Sequence, residues 1–483
     1  MISITETWKR DKLKSALWLC WLATVFFSFW YQTILSFPVP LIGTMSPFRV
    51  FLPITAILYL VWAIREKEWF WKSCSALEKW CYLLIALLLI YGAISLCRAM
   101  DFIHTFRRLF NLALDLCFFF LMLRLCRDKQ LLRLTLGVTA VVLVIHVSIG
   151  FYESFRGGVF SDVYNNYRGG YIFKGYTRTA HVTYGNPNDF VSNLLMCSSI
   201  LLLAVCRKWE KISGKGFYAA AIWLPVIYAS IRLAQSRLVT MAFYALLVGF
   251  LGFLLFADRK RMRPMSLSLV MIACVLFVNE YHAIAPKVEK LWVETQIVWF
   301  ENVASSDSLT PPGLSDETAE ALEQLQASKE RIDASDVSRV QLLKHAVGCF
   351  WESYGLGIGL GNTEKLLTAN QPDGLGAIHC FLARIVADYG IFALAPLCII
   401  AFLLLKQVWQ IFRIGLQIGN RHMVGWAWLS LCVLVTYPFT STAPSDAQDL
   451  LGMWIYLAAV VLLICEPWAN PVCENAELQA ETW

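Results

Sequence analysis

Residues 380–405 read CFLARIVADYGIFALAPLCIIAFLLL, an apolar stretch interrupted only by Arg384 and Asp388. A helix formed by such a stretch is long enough to cross the ~30 Å hydrocarbon core of a bilayer. Similar stretches recur along almost the whole chain, and they predict an all-α, polytopic integral membrane protein with about twelve membrane-spanning helices. The predicted spans are 15–37, 46–64, 79–97, 109–125, 134–153, 186–206, 217–235, 238–256, 264–284, 380–405, 424–441 and 447–465.

The composition of the 483-residue chain supports this prediction. Hydrophobic residues make up 58% of the chain and charged residues only 16%, which is too apolar for a soluble globular protein. The first span follows the basic segment 9–14 without a small-residue cleavage site, so we expect an anchor and not a removable signal peptide. The 15 cysteines show no metal-ligand spacing, and we predict that they are free thiols that fill space as small apolar side chains.

The distribution of positive charge predicts which loops face the cytoplasm. Lys and Arg cluster at the N-terminus and in every second loop after it, whereas the short loops 38–45 and 442–446 contain neither. Under the positive-inside rule the basic loops are cytoplasmic, and so are both termini. The basic residues are Lys9, Arg10, Lys12, Lys14, Arg65, Lys67, Lys72, Lys79, Arg124, Arg127, Lys129, Arg133, Arg207, Lys208, Lys211, Lys215, Arg259, Lys260, Arg261, Arg263, Lys406, Arg413 and Arg421.

The predicted spans divide the chain into four parts. Residues 1–284 hold the first nine spans, with an extracytoplasmic loop at about 154–185. Residues 285–378 are predicted to form a large extracytoplasmic loop domain between the ninth and tenth spans. Residues 379–465 hold the last three spans, and residues 466–483 form a cytoplasmic tail.

Four arginines are predicted to lie on the extracytoplasmic side, where the positive-inside rule makes cations uncommon. Arg232 and Arg237 flank the turn between the seventh and eighth spans, Arg339 lies in the large loop, and Arg178 lies in the loop at 154–185. Each can be a solvated or snorkelling side chain. Arg237 stands in a tight turn with no acidic neighbour in the sequence. Because a planar guanidinium matches phosphate geometry, we predict that Arg237 binds an anion.

The segment GNPNDF at 185–190 opens the sixth span. Gly-Asn-Pro-Asn is typical of a turn, and Asn188 or Asp189 can cap the helix that follows. The alternative is a polar lip on a substrate cavity, where Asn186 and Asn188 present their amides to sugar hydroxyls. The residues themselves leave both interpretations open.

Three ionisable residues, Asp115, His146 and Glu153, fall inside predicted spans. Ionisable side chains at this depth usually face the interior of the helix bundle and pair with one another or with backbone groups. We therefore predict structural roles for all three, with each carboxyl group either paired or protonated.

His379 stands where the tenth span meets the extracytoplasmic surface. Arg384 and Asp388 are four residues apart, so they can neutralise each other on one helix face inside the span. His379 has no such partner nearby in the sequence. It is either structural or a general base, since a neutral imidazole accepts protons near pH 7. The Gly-rich segment 355–361 before it can let an acceptor approach the ring.

Four segments between residues 181 and 395 occur in a recognisable order: GNPNDF, Ser-Arg at 236–237, SRVQLLKHAVGCFWESYGLGIGLGN at 338–362 and IHCFLARIVADYG at 378–390. In this order they resemble the O-antigen ligase and Wzy-type polysaccharide polymerase family. Arg49, which opens the second span, also fits that family. The chain departs from the family pattern in having Cys380 where Asn is usual and Asp388 where Glu is usual. The matching residues are Arg339, Gly355, Gly357, Gly359, Gly361, His379, Leu382 and Gly390.

The resemblance implies a GT-C-like glycosyltransferase on the outer face of a bacterial cytoplasmic membrane, acting without a metal or other cofactor. It implies that the donor is a glycan on undecaprenyl diphosphate and that transfer inverts the anomeric centre. His379 would be the base, while Arg237, Arg339 and, as a weaker candidate, Arg178 would hold the diphosphate. The implied partners are the bilayer and a flippase and chain-length regulator of the same pathway, with no nucleic acid. The remaining candidate cavity residues are Asn186, Asn188 and Arg232.

Two other protein classes compete with this interpretation. Twelve spans also suit a transporter or flippase for lipid-linked sugars, although the long loop at 285–378 is external and no internal repeat is visible. A metal-dependent transferase of the oligosaccharyltransferase kind needs acidic residues in the first external loop, and SFPVPLIGTM at 36–45 contains none. Within the preferred family, a polymerase and a ligase that moves the finished glycan to an acceptor remain open, and so do the sugars.

Overall fold

The structure, a computed structural model, describes residues 11–30, 37–39, 43–67, 74–156, 182, 187–208, 214–234, 236–257, 268–274, 342–370, 380–442 and 451–466. Within these ranges the chain is almost entirely α-helical, as the sequence predicts. The sheet in this part of the chain is one antiparallel hairpin, β1 (Phe37–Val39) and β2 (Gly43–Met45), in which Pro38 lies opposite Thr44.

The described residues form 15 α-helices. In chain order they are α1 (Lys12–Ser28), α2 (Pro47–Arg65), α3 (Ala76–Ser95), α4 (Phe102–Leu125), α5 (Lys129–Arg156), α6 (Pro187–Arg207), α7 (Gly214–Leu233), α8 (Arg237–Ala257), α9 (268–274), α10 (342–352), α11 (Asn362–Asn370), α12 (Phe381–Tyr389), α13 (Ile391–Gln417), α14 (Arg421–Thr442) and α15 (Leu451–Cys465).

Capping side chains mark where three of these helices begin. The carboxylate of Asp11 accepts hydrogen bonds from the first backbone N–H groups of α1. Ser75 and Glu78 form a reciprocal capping box at the start of α3. Asp101 accepts the N–H of His104 at 3.0 Å and so starts α4. Each cap satisfies backbone donors that have no partner within the helix.

Seven helices in the described part of the chain are long and apolar enough to cross a membrane. They are Pro47–Arg65, Ala76–Arg98, Lys129–Ser154, Pro187–Arg207, Arg237–Ala257, Ile391–Gln417 and Arg421–Thr442. Helices α1, α4, α7 and α15 also occupy predicted spans, but their apolar parts are shorter or, in α4, interrupted by charge. The chain is thus a multi-pass membrane protein, and the full count of twelve spans stays a prediction.

Large aromatic side chains are among those buried between the helices, and α2 turns aliphatic side chains outward. Trp21, Tyr228 and Trp426 are fully buried, and the indole N–H of Trp21 donates to Thr135 Oγ1 at 2.9 Å. On α2, Ile57 and Ile64 are 62% and 69% exposed. An exposed aliphatic face on a helix of this length is what a lipid-facing surface requires.

Helices α8 and α14 pack antiparallel at very close range. Gly249 lies against Cys432, Gly252 against Trp428, and Gly425 against Phe253. Small residues let two helix backbones approach closely inside a membrane. This register sets the level of every residue along both helices, including their ends.

Charged side chains collect at the two ends of the bundle. At one end, which we call the Glu78 end, Glu78 pairs with Arg127 at 2.7 Å, and Glu466 pairs with Lys129 at 2.9 Å. The opposite end, which we call the Glu364 end, contains the start of α4 and the short helices α11 and α12. A cavity of about 310 Å³ opens at the Glu78 end between α3, α15 and the α4–α5 turn.

Candidate functional site

The predicted tenth span, 380–405, is wrong at its start. Gly390, with a φ of 60°, ends α12 at Tyr389, and the membrane-length helix α13 begins at the next residue. Arg384 and Asp388 therefore lie in a short helix ahead of the span. They are 1% and 0% exposed, so protein and not lipid covers them.

The start of α12 lies at the Glu364 end, beside the end of α14. Cys380 Sγ is 3.7 Å from Thr442 Oγ1 on the last turn of α14. Because α8 runs antiparallel to α14, with Gly249 against Cys432, its first residue, Arg237, lies near the level of Thr442. The structure therefore brings the beginning of α12 and Arg237 to the same end of the bundle.

A buried carboxylate, Glu364 of α11, is the centre of an ionic cluster at this end. Arg108 Nη2 lies 2.8 Å from Glu364 Oε1, and His104 Nε2 lies 2.8 Å from Oε2. Arg384 Nη2 lies 2.5 Å from Oε1. One carboxylate on α11 thus contacts two side chains of α4 and one of α12.

The charge state of Glu364 follows from these neighbours. Burial by itself disfavours the carboxylate, but Arg384, the hydrogen bond from His104 and then Arg108 outweigh it and lower the pKa of Glu364 to about 2. The group is therefore ionised at every physiological pH. An ionised carboxylate can hold the buried guanidinium of Arg384 and the partly buried guanidinium of Arg108 in fixed positions.

Arg384 and Asp388 form an ion pair, as the sequence predicts, but it is a long one. Their closest atoms, Nε and Oδ2, are 3.9 Å apart, whereas the Arg384 guanidinium contacts Glu364 directly. Asp388 also accepts a hydrogen bond from the hydroxyl of Thr363. Burial raises the pKa of Asp388 to about 6, even though Arg384 acts in the opposite direction. The closer partner of Arg384 is Glu364, which belongs to a different helix. No local spacing in the sequence could reveal that contact.

The Gly-rich segment 355–361 caps the C-terminal end of α12 and does not adjoin its start. The N–H of Ile358 donates to Ala387 O and the N–H of Gly359 donates to Asp388 O, both at 3.0 Å. Gly357 has a φ of +83°, and a Cβ there would lie 2.5 Å from Asp388 O. These glycines make room for α12, and the expectation that they let an acceptor approach His379 stays a prediction, because His379 lies outside the described residues.

His104, Arg108 and Glu364 were missed by the sequence analysis. The predicted fourth span began at 109, but α4 begins at Phe102 and includes all of its polar first turns. Arg108 is one more arginine at the Glu364 end, and its four-residue spacing from His104 was the signal that could have found the pair. Glu364 carries no such signal, because His104 and Arg108 lie 260 and 256 residues away and Arg384 belongs to a different helix.

Polar side chains continue below the cluster along one face of α4. Positions 104, 108, 111 and 115 repeat at helical spacing. Arg49, at the start of α2, donates from Nη2 to Asn111 Oδ1 at 2.7 Å and is 7% exposed. Asp115 is 1% exposed. The early arginine of the resemblance therefore lies against the same helix as His104 and Arg108.

The other two ionisable residues inside predicted spans are also buried, as predicted. Glu153 accepts the backbone N–H of Val182 at 2.7 Å, which supports the structural role expected for it. His146 packs edge-on against Trp30, with ring centroids 5.0 Å apart. The described cysteines are free, as expected, and in the same part of the chain no three His, Cys, Asp or Glu side chains converge in an arrangement that could hold a metal ion.

Some of the remaining predicted site residues lie at helix ends, and the others lie outside the described ranges. Arg237 is exposed at the first turn of α8, Arg232 is half-buried in the last turn of α7, and Asn188 is half-buried in the first turn of α6. Because α6 begins at Pro187, neither Asn188 nor Asp189 is its N-cap residue. The predicted residues that lie outside the described ranges are Arg178, Asn186, Arg339 and His379.

Comparison with known proteins relates most of the chain to a teichuronic acid biosynthesis protein. No family model matches the sequence. The chain is 22% identical over 428 residues to the teichuronic acid biosynthesis protein TuaE of Bacillus subtilis (strain 168), covering 86% of this chain and 78% of that protein. The chain is thus a multi-pass membrane protein that is distantly related to a teichuronic acid biosynthesis protein.

Proposed function

We propose that the chain is a glycosyltransferase that polymerises undecaprenyl-diphosphate-linked oligosaccharide units into a cell-surface or cell-wall polysaccharide. The observation that carries the proposal is the similarity to a teichuronic acid biosynthesis protein over 86% of the chain. O-antigen, capsule and teichuronic-acid polymers are the candidate products. The convergence of Arg237 and the start of α12 at one end of the bundle adds a location for the reaction.

The Glu364 end faces the outside of the cell in this proposal. Support comes from the charges at the opposite end, where Lys14, Arg65, Arg127 and Lys129 lie in the described part of the chain. The positive-inside rule assigns such an end to the cytoplasm. The protein would then be a multi-pass protein of a bacterial cytoplasmic membrane with both termini inside.

His379 is the proposed general base, since it directly precedes Cys380 at the start of α12. Its neutral imidazole takes the proton of an acceptor hydroxyl, and the hydroxyl oxygen attacks the anomeric carbon of the donor. The new glycosidic bond forms as the carbon–oxygen bond to the diphosphate breaks. Undecaprenyl diphosphate leaves with that electron pair, and the anomeric configuration is inverted.

Arg237 and Arg339 are the proposed diphosphate contacts, with Arg178 as a weaker candidate. Arg237 is the first residue of α8, where free backbone N–H groups and the helix dipole favour an anion. A guanidinium binds phosphate oxygens in pairs and stabilises the charge that develops on a leaving diphosphate. Arg232 and Asn188 lie near this level and are proposed cavity residues.

The test compares His379→Ala with Arg237→Ala in the purified, detergent-solubilised protein. If His379 is the base, its loss lowers turnover by roughly 10²–10⁴-fold while binding of an undecaprenyl-diphosphate-linked donor survives. Loss of Arg237 should instead weaken donor binding. Wild-type turnover in EDTA should equal turnover without it.

A stable His379→Ala protein that polymerises at the wild-type rate would falsify the mechanism. Chelator sensitivity would favour a metal-dependent transferase. Products that remain on undecaprenyl diphosphate identify a polymerase, whereas products on a different acceptor identify the ligase alternative. Lipid-linked sugar that crosses vesicles without forming any new glycosidic bond would identify a flippase.

A further inference from the structure

Helix α12 is attached to its surroundings at several points, which differ in kind and include the hydrogen bond from Thr363 of α11 to Asp388. Its C-terminal end is held by backbone hydrogen bonds from the Gly-rich segment, at Ala387 and Asp388. Its middle is held by Arg384, which is 1% exposed and reaches Glu364 of α11. In the first turn, Phe381 packs edge-on against Trp454 of α15, with ring centroids 5.9 Å apart, and the Cys380 thiol makes a weak contact with Thr442.

Glu364 is the group that connects this middle attachment to the membrane bundle. The same carboxylate that contacts Arg384 also accepts two hydrogen bonds from Arg108 Nη2, at 2.8 and 3.0 Å, and contacts His104. Because these residues belong to α4, the carboxylate joins α12 to a helix of the bundle. Buried charges of this kind are held tightly, since neither can be left without its partner.

Helix α11 itself has further attachments that do not involve Glu364. Asn362 accepts the N–H of Met100 at 3.0 Å and donates to Arg98 O at 3.2 Å. Lys365 pairs with Asp101 at 2.8 Å. Loss of the Glu364 carboxylate should therefore leave α11 in place and loosen the middle of α12, where Arg384 loses its contact, while the hydrogen bond from Thr363 to Asp388 remains.

We propose that Glu364 is a positioning residue for the transfer reaction: it fixes α12 against α4 and so sets where the start of α12, with His379 and Cys380, stands relative to the ends of α8 and α14. The expected effect on the rate of sugar transfer rests on the proposed function. The expected effect on the position of α12 does not. A base displaced by about 1 Å can lose roughly 10²-fold in rate. The carboxylate itself touches neither substrate nor reacting atoms.

The native Cys380 offers a measurement of this position that needs no substrate. Because its sulfur lies 3.7 Å from the Thr442 hydroxyl, Thr442→Cys should form a disulfide with Cys380 under mild oxidation. The rate and yield of that bond report whether the start of α12 stays beside α14. In Glu364→Gln the cross-link should form several-fold more slowly. Thr442→Cys would be combined with each variant for cross-linking and omitted for kinetics.

Asp101→Asn is the matched control, because it makes the same carboxylate-to-amide change at the same contact between α11 and α4. Asp101 is half-exposed, and Asn still caps α4. Exposed ion pairs of this kind contribute little. Cross-linking and turnover should both equal those of the wild type.

Glu364→Gln should lower kcat by roughly 10–100-fold while the KM for donor changes less than twofold. Glu364→Asp should recover part of both the cross-linking and kcat. If Glu364→Gln does not fold, the double variant Glu364→Gln/Arg384→Met removes the stranded buried cation and should show the same slow cross-linking and low kcat.

Three results would overturn the inference. Cross-linking at the wild-type rate in Glu364→Gln would show that the carboxylate does not hold α12, whatever happens to kcat. Slow cross-linking with unchanged kcat would show that the position of α12 does not matter for transfer. Slow cross-linking in Asp101→Asn would show that Glu364 has no special role. A wild-type protein that transfers no sugar would refute the proposed function, and the cross-linking would still decide the attachment.

Discussion

At the scale of single residues, the Glu364 end separates two carboxyl groups by their surroundings. Glu364 and Asp388 are both almost completely buried, yet the pKa of one is lowered to about 2 and that of the other is raised to about 6. Glu364 faces two guanidinium groups and an imidazole. Asp388 has the Thr363 hydroxyl and a more distant Arg384. The positively charged neighbours of Glu364 outweigh the effect of burial and lower its pKa, whereas for Asp388 burial outweighs the effect of Arg384 and raises the pKa.

The pKa of Asp388 predicts a pH-dependent stability. Its pKa is about 6 in the folded protein, against an ordinary value of 3.8 for an aspartate side chain. Such a carboxyl destabilises the fold increasingly as pH rises from the ordinary pKa to the folded one, and by a constant amount at higher pH. Asp388→Asn removes this penalty. The gain in melting temperature of Asp388→Asn over the wild type should therefore be larger at pH 8 than at pH 5. Thermal unfolding in detergent measures it.

Thr363→Val provides the control for the hydrogen bond of Asp388, since it removes the hydroxyl but leaves the carboxyl in place. The melting temperature of Thr363→Val should depend on pH at least as strongly as that of the wild type. An equal difference between Asp388→Asn and wild type at both pH values would contradict the assigned titration.

At the scale of secondary-structure elements, the contact of α8 with α14 depends on glycines. A Cβ at Gly249 would lie 2.5 Å from the Cβ of Cys432, an atom that cannot move without its backbone. The same contact sets the register that brings Arg237 to the level of Thr442. Packing in the membrane and the location of the candidate site therefore depend on one helix pair.

Gly249→Ala should destabilise the protein by about 1–3 kcal/mol, the usual cost of overpacking a close contact. Gly137→Ala is the control, because Gly137 is also helical but has nothing within 4 Å of a new Cβ. It should be neutral or stabilising by up to about 1 kcal/mol, since Ala favours helix more than Gly. Thermal unfolding in detergent compares the two. Equal stability of both variants would contradict the close packing described for α8 and α14.

At the scale of the whole molecule, charge separates the two ends of the bundle. At the Glu78 end lie Lys14, Arg65, Arg127 and Lys129. At the Glu364 end, Arg108 and Arg384 are paired with Glu364. This asymmetry predicts an orientation with the Glu364 end outside.

Thiol labelling tests the orientation in intact cells. Cys97 is exposed in the 3₁₀ turn after α3, at the Glu364 end. A membrane-impermeant maleimide should label it without permeabilisation. A cysteine introduced as Glu66→Cys, in the exposed turn after α2, should react only after permeabilisation. Mass spectrometry of the labelled peptides distinguishes these sites from the other cysteines. The reverse pattern would invert the proposed location of the active site.

Much of the fold could be predicted because hydropathy and charge act locally. A stretch such as 424–441 is apolar enough to enter a bilayer whatever it later contacts, and α14 occupies it at 421–442. The break at Gly390 was harder to see, because most residues on both sides of it are apolar. Only the backbone of the Gly-rich segment, docked on α12, shows why the helix ends there.

The sequence by itself determined a multi-pass helical membrane protein, its basic loops and the chemistry available in outward arginines and His379. The tertiary structure decided which polar groups meet: Glu364 with Arg108 of α4 and Arg384 of α12. Helical periodicity relates residues only a few positions apart, whereas Arg108 and Glu364 are separated by 256 residues. A buried charge pairs with whatever folding brings within reach, and no local pattern specifies that partner.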